Sequence, residues 1–597
     1  MKSTYRNIAV YGFMCAVVST ITACGTDQVT DAVVNPVDQT VAIQSSGAMQ
    51  RRLNQVPVAK VEGKAKDDLS INTAMSPAKS RTVERTRPAA EMVAGLNSPS
   101  GYYPLRNSIR LPSEPLDREN YAHINTNPVK LVSEHPVSTF SIDVDTGAYA
   151  NVRRFLNQGR IPPKDAVRIE EMINYFSYHY PAPENTKQPF RVTTELAPTP
   201  WNPKTRLLQI GIQGYKLPRN ALPPSNLVFL LDVSGSMQSP NKLGLLKSAL
   251  KLLAGQMGRK DRISIVVYAG ASGVVLEPTP GNLHARITAA LDALQAGGST
   301  NGAAGIRLAY SLAEQAFIRN GINRVILATD GDFNVGTVNF EALKDLIEKK
   351  RKSGISLTTL GFGTGNYNDH LMEQLADAGN GNYAYIDTIN EARKVLVDEM
   401  ASTLNTIARD VKIQIEFNPE MISEYRLIGY ENRMLKREDF NNDKVDAGEI
   451  GAGHTVTALY EITLSSGQSR INPLRYGGGQ PEKAERHGNE IAFLRLRYKN
   501  PNSDHSKLIE IPLNRNMLQH RLANTSEHFR FAAAVAAFGD LLRGGKYSEK
   551  FTYRDVLQLA RSSRGKDTFG YRGEFLNLVR TAEVLNRQAL NRSQEDS

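Results

Sequence analysis

Apolar residues are spread unevenly along this chain, and the changes in their spacing divide it into segments. A short apolar stretch from Ile8 to Val18 follows Lys2 and Arg6 and leads into Ile21-Thr22-Ala23-Cys24. This is the layout of an export signal, and the stretch is too short for a comfortable membrane span of ~20 residues. From Gly25 to about Glu119, apolar residues appear without sustained period among Ser, Thr, Pro, Gln and mixed charges. Such a segment buries too little surface to offset chain entropy, so it reads as a flexible tether, with a cell-wall-binding module as the competing reading. A coil of ~95 residues has an r.m.s. reach of roughly 50 Å.

Ordered patterning resumes near Tyr121. Residues 140–144 alternate like a strand. Asp145 and Thr146 then stand where they would cap a helix carrying Tyr149, Val152, Phe155 and Leu156 on one side. Pro162-Pro163 precedes a second helix with Val167, Ile169, Met172, Ile173 and Phe176. Strand-like runs follow at 190–196 and 206–212. Between about 226 and 404, five apolar runs (227–231, 263–268, 325–328, 355–360 and 383–386) alternate with helical segments (242–257, 283–294, 302–317, 340–352 and 370–378). That alternation predicts an α/β fold, a doubly wound and mostly parallel sheet with helices on its faces. Further strands are expected at 411–417, 456–464 and 490–498, in a β-rich unit sharing the strands near 190–212. Helices are expected at 527–542, 553–562 and 573–585. The resulting division is 1–23 signal, 24–118 tether, 119–222 N-terminal α+β region, 223–405 sheet domain, 406–515 β-rich unit and 516–597 helical tail.

Composition narrows the chemistry. A length of 597 residues exceeds what one core absorbs, and 41% apolar with 22% charged residues excludes wholesale disorder. The net charge of +11, falling to +9 without Lys2 and Arg6, is too small to mark a dedicated nucleic-acid binder. Cys15 and Cys24 are the only cysteines, so the rest of the chain holds no disulfide framework and no thiolate zinc site. The sequence has no Gly-x-Ser-x-Gly elbow, no phosphate loop, no His-Glu-x-x-His and no spaced histidine cluster, so no enzyme is expected. Asp145-Thr-Gly147 matches the short aspartic-protease signature, but the helix that follows at once favours capping. Asp439-x-Asn441-x-Asp443 starts like a calcium loop, yet Lys444 and Ile450 stand where Gly and Glu belong, so a solvated turn is expected. Gly361-Phe-Gly-Thr-Gly365 lacks dinucleotide spacing and is expected to form a turn.

The candidate chemistry sits in three oxygen-rich turns. Asp232-Val-Ser-Gly-Ser236 and Thr329-Asp-Gly-Asp332 each end an apolar run, and Gly297-Gly-Ser-Thr-Asn301 opens a helix between them. In an open α/β sheet, turns at the carboxyl ends of strands gather around one crevice. Hydroxyls and carboxylates without imidazole or thiolate suit Mg²⁺, with Mn²⁺ or Ca²⁺ as alternatives, and disfavour zinc.

The set Asp232-x-Ser234-x-Ser236, Thr300 and Asp330-Gly331 resembles the metal-ion-dependent adhesion site of von Willebrand factor type A domains. The resemblance implies hydroxyl ligation by Ser234 and Ser236 and direct or water-mediated contact from Thr300. It also implies that Asp232 and Asp330 hold the metal or its waters, with a partner Asp or Glu completing the shell. Asp332 lies outside that set and is expected to act behind it or to cap the turn. Ile21-Thr22-Ala23-Cys24 resembles a bacterial lipobox, which implies acylation of Cys24; an ordinary signal peptide is the competing reading. Gly25 rather than Asp after that cysteine implies the outer membrane. The segments Ser138-Thr-Phe-Ser-Ile-Asp-Val-Asp-Thr-Gly-Ala-Tyr-Ala-Asn-Val-Arg-Arg-Phe155 and Ala452-Gly-His-Thr-Val-Thr-Ala-Leu-Tyr-Glu-Ile462 resemble those of bacterial YfbK-like lipoproteins with a central type A domain. These likenesses together imply a lipid-anchored envelope protein that captures an unknown protein ligand through a metal. The alternative is an assembly component whose metal only stabilises the fold.

Overall fold

The computed structural model describes residues 119–595 except 219–220, 300–301, 332, 334–339, 366 and 473–487. The signal segment, Cys24 and the tether therefore lie outside the described residues, as do Thr300 and Asp332. Among the described residues, no helix is long and apolar enough to cross a membrane.

A six-stranded sheet carries the candidate site. Its order is Tyr383–Ile386, Ser356–Phe362, Ile322–Thr329, Ser225–Asp232, Arg262–Tyr268, Ser272–Pro280. Five strands are parallel, and the last pairs antiparallel with its neighbour at the edge. The central strand is buried along its whole length, and its side chains alternate between two cores. Leu227, Phe229 and Leu231 pack with Leu246, Leu250 and Leu253 of helix Leu245–Ala254. Val228 and Leu230 pack with Ile306, Ala309 and Ala313 of helix Gly302–Gln315. A strand covered on both faces reads as a near-continuous apolar run, as Leu227–Leu231 does here, which explains why these runs stand out in the sequence.

The edge strand Ser272–Pro280 is absent from the sequence-based expectation. It carries two prolines and leaves Val274 and Val275 partly open to solvent, so its pattern is neither buried nor amphipathic.

The flanks interleave. Lys130–Leu131, Ile422–Ile428, Thr455–Leu464, Asn202–Gly214 and Phe190–Thr199 form one antiparallel sheet. Thr406–Phe417 joins Val137–Ser141, Ile450–Gly451 and Glu490–Lys499 in another, and Ser506–Asn514 adds to Glu490–Lys499. Both sheets contribute to one apolar core, with Phe140, Ile210, Ile413, Tyr460 and Leu494 among its members. Chain segments on either side of the parallel sheet thus complete each other, as in the registers Ala458↔Ile210 and Ile413↔Phe140. Helices Glu527–Leu542, Tyr553–Ser562 and Tyr571–Glu595 help form a further core around Phe176, Phe531 and Phe575.

One expectation is corrected. Thr146 stands at the cap position of helix Gly147–Asn157, but no side chain there bonds the helix end. The Ala148 N–H is instead met by Glu171 Oε2 at 2.7 Å, and Asp145 Oδ1 accepts the Tyr383 N–H at 2.8 Å. The Asp-Thr-Gly segment therefore docks this helix onto the edge strand of the parallel sheet. Gly147 permits the approach, since a Cβ there would overlap the Tyr383 ring.

Candidate metal centre

The site lies at the carboxyl ends of Ser225–Asp232 and Ile322–Thr329. These are adjacent strands whose connections leave in opposite directions, the topological switch point of the sheet. Asp232 is fully buried. Its Oδ1 accepts the Ser234 N–H at 2.8 Å, an Asx turn that bends the chain back over the strand end. Its Oδ2 accepts Thr329 Oγ1–H at 2.9 Å and the Tyr268 hydroxyl at 3.3 Å.

Above this carboxylate, the Ser234 and Ser236 hydroxyl oxygens lie 3.0 Å apart, with Ser234 buried and Ser236 exposed. The third turn is tied to the first by backbone bonds: Gly235 N donates to Gly298 O at 3.0 Å, and Gly297 N donates to Val233 O at 2.8 Å. Gly298 has φ +84°, a conformation open to glycine, and it places Ser299 directly after the joined turns. Asp330 is also fully buried, and its Oδ2 accepts from Lys242 Nζ at 2.8 Å. The next residue, Gly331, has φ +94° and packs so closely on Tyr367 and Asn368 that a Cβ would collide with their backbone.

Electrostatics follow from this burial. Removal from water pushes the Asp232 carboxyl above its ordinary range, and the neighbouring Asp330 charge adds to the shift. Hydrogen bonds from Ser234 and Thr329 oppose it. Burial and the Asp232 charge push the Tyr268 phenol well up, so it remains a donor to that carboxylate at neutral pH.

Of the sequence-expected residues, Asp232, Ser234, Ser236 and Asp330 come together at one crevice, while Thr300 lies outside the described residues. Among the described residues, no group of three or more His, Cys, Asp or Glu side chains is placed to hold a metal. A cation here would therefore draw on serine hydroxyls as well as carboxylates. The donor set, hydroxyl oxygens above two buried aspartates, fits a hard divalent ion. Two participants escaped the sequence reading: Tyr268 is a strand residue whose apolar neighbours hide it, and Lys242 is 88 residues from Asp330. Thr329 was read only as the first residue of its turn, and its bond to Asp232 appears only in the fold. The Asp439–Asp443 turn works otherwise: Asp443 Oδ1 pairs with Arg497 at 3.0 Å, and Asp439 Oδ2 accepts the Lys436 N–H at 3.0 Å.

The von Willebrand factor type A domain pattern matches residues 226–398, and the pattern described as YfbK, C-terminal, matches 402–585. A further von Willebrand factor pattern matches 115–209. The chain is 48% identical over 469 residues to the uncharacterized protein YfbK of Escherichia coli K12, covering 78% of this chain and 81% of that one. The chain belongs to the YfbK family. This YfbK-family chain is also 25% identical over 275 residues to inter-alpha-trypsin inhibitor heavy chain H3 of Homo sapiens, over 42% of its own length and 30% of that protein. Among solved structures, it is similar to a von Willebrand factor type A protein from Catenulispora acidiphila, with 15% identity and TM-score 0.36. That match covers 66% of this chain and 91% of the other. The ArnB paralog VWA2 from Sulfolobus acidocaldarius matches with 15% identity and TM-score 0.34, over 67% and 98%. By the match over residues 226–398, the parallel-sheet domain of this YfbK-family member is a von Willebrand factor type A domain, flanked by an N-terminal α+β region and a C-terminal β-rich and helical region.

Proposed function

We propose that the chain is a lipid-anchored cell-envelope protein, acylated at Cys24 and held at the outer membrane. In this reading its type A domain binds a protein partner through a divalent cation and acts by capture rather than catalysis. The observation that supports this most is the pair of serine hydroxyls 3.0 Å apart, one of them exposed, above the buried carboxylates of Asp232 and Asp330. Asp232, Ser234, Ser236, Thr300 and Asp330 would hold Mg²⁺, or Mn²⁺ or Ca²⁺ in its place. When bound, such an ion supplies a Lewis-acidic position that accepts a carboxylate oxygen from a partner Asp or Glu. Asp232 is already committed by three hydrogen bonds, so its part is to orient the serine turn and lend charge from beneath. Ser234 and Ser236 are neutral, which would leave the ion enough positive character to attract an anion.

The test is retention of envelope proteins by the immobilised full chain in Mg²⁺, in chelator, and by Asp232→Ala in Mg²⁺. Specific partners are expected in the first condition alone. Equal retention in all three would sink the proposal.

A second reading, an assembly component whose metal only stabilises the fold, draws on the last helix. There Val584 and Leu590 are 52% and 57% exposed. Under that reading, partners would survive chelation and be lost on replacing these two side chains with polar ones.

A further inference from the structure

Lys242 belongs to none of the three site turns, yet it reaches the site. It lies in the turn Pro240–Gly244 that leads into helix Leu245–Ala254, and only 6% of its surface is open to solvent. Its methylenes run along Gly363, where a Cβ would overlap them, and its ammonium ends 2.8 Å from Asp330 Oδ2. Gly363 has φ +76°, and its carbonyl is fixed by the Tyr385 hydroxyl. A slot shaped for a lysine stem thus delivers a positive charge to one of the two buried carboxylates. Burying an ammonium is costly unless it is paired, and Asp330 provides that pair.

A divalent ion approaching the same carboxylate meets a charge of its own sign. We propose that Lys242 is a tethered cation that balances Asp330 in the metal-free domain and competes with the divalent ion. It thereby sets the threshold concentration at which the site fills. This rests on the metal-binding reading above and adds to it a residue that governs affinity without being a ligand. The glycine at 363 acquires a purpose in the same step, since any side chain there would push the lysine stem off its path.

The test measures Mn²⁺ binding to the full chain after chelator treatment, by the loss of the free-ion electron paramagnetic resonance signal. Wild type is compared with Lys242→Met, which keeps the stem, and Lys242→Arg, which keeps the charge. The methionine variant should bind roughly tenfold tighter or better, because one of two like charges is gone, while the arginine variant stays near wild type. In chelator the methionine variant should melt below wild type, and Mn²⁺ should raise its melting temperature by more than it raises that of wild type. Lys242→Gln carries the same expectation should the methionine variant fail to fold. If wild type binds Mn²⁺ and the uncharged variants bind it equally or more weakly, Lys242 is not a competitor and only this inference falls. If neither wild type nor the uncharged variants bind it, the metal-binding reading falls with it.

Discussion

Thr329 donates from Oγ1 to Asp232 Oδ2 over 2.9 Å, joining the last residues of two adjacent parallel strands. The bond lies beneath the serine turn, so it fixes the floor on which a cation would rest. Thr329→Val keeps the shape and removes the donor, leaving that buried oxygen to the longer Tyr268 contact. The expected loss is about 1–3 kcal/mol of stability, read from urea denaturation, with Thr329→Ser recovering most of it.

Arg153 on the first helix meets Glu391 at 2.8 Å, with both side chains almost wholly buried, and also pairs with Asp387. Tyr175 completes the group, donating to Glu391 Oε2 at 2.8 Å. Arg153→Met would leave two buried carboxylates without their cation. A loss of about 3–5 kcal/mol is expected, and Arg153→Met with Glu391→Gln should recover part of it.

Carboxylates crowd the junction where helix Ile169–Asn174 meets the β-sandwich. Burial, with Glu431 and Asp143 nearby, pushes Glu170 up to about 8. Burial likewise lifts Glu373 to about 7, although Arg168 and Arg433 oppose it. In both cases the folded value lies above the unfolded one, so the native state binds the extra proton. Their stabilising contribution is complete below about pH 4.5, the ordinary glutamate range, and is lost as pH rises through 7 to 8. The denaturation midpoint should therefore be higher at pH 6 than at pH 8.5. Glu170→Gln should flatten that difference.

Gly147 faces the Tyr383 ring with no room for a Cβ. Gly147→Ala should destabilise the protein by about 1–3 kcal/mol through overpacking and loosen the helix docking that Asp145 secures. Gly273→Ala, at a position with open space around it, serves as the control and should leave the melting temperature unchanged.

The parallel sheet was legible because strands covered on both faces leave apolar runs; two of the three turns were legible because their oxygens cluster at run ends, and the third because its oxygens open a helix between them. The β-sandwich was harder to see. Glu424 and Arg426 make the strand Ile422–Ile428 look polar, yet both are buried; Arg426 pairs with Glu461 at 2.9 Å, and Glu424 accepts the Ile471 N–H at 2.7 Å. Local patterning cannot report partners so far along the chain. The same limit hid Ser506–Asn514, an exposed edge strand carrying Pro512. The Asp145 reading failed for a related reason: the residue looks like a cap from its neighbours, and only the fold brings Tyr383 to it.

The central claim, that the crevice above Asp232 and Asp330 takes up a divalent ion, is tested most directly by calorimetric titration of Mn²⁺ into the purified full chain and its Asp232→Ala variant. The account predicts one ion per wild-type chain and none for the variant, with the variant's fold intact by circular dichroism. Uptake unchanged by the substitution, or no uptake by wild type, would contradict it.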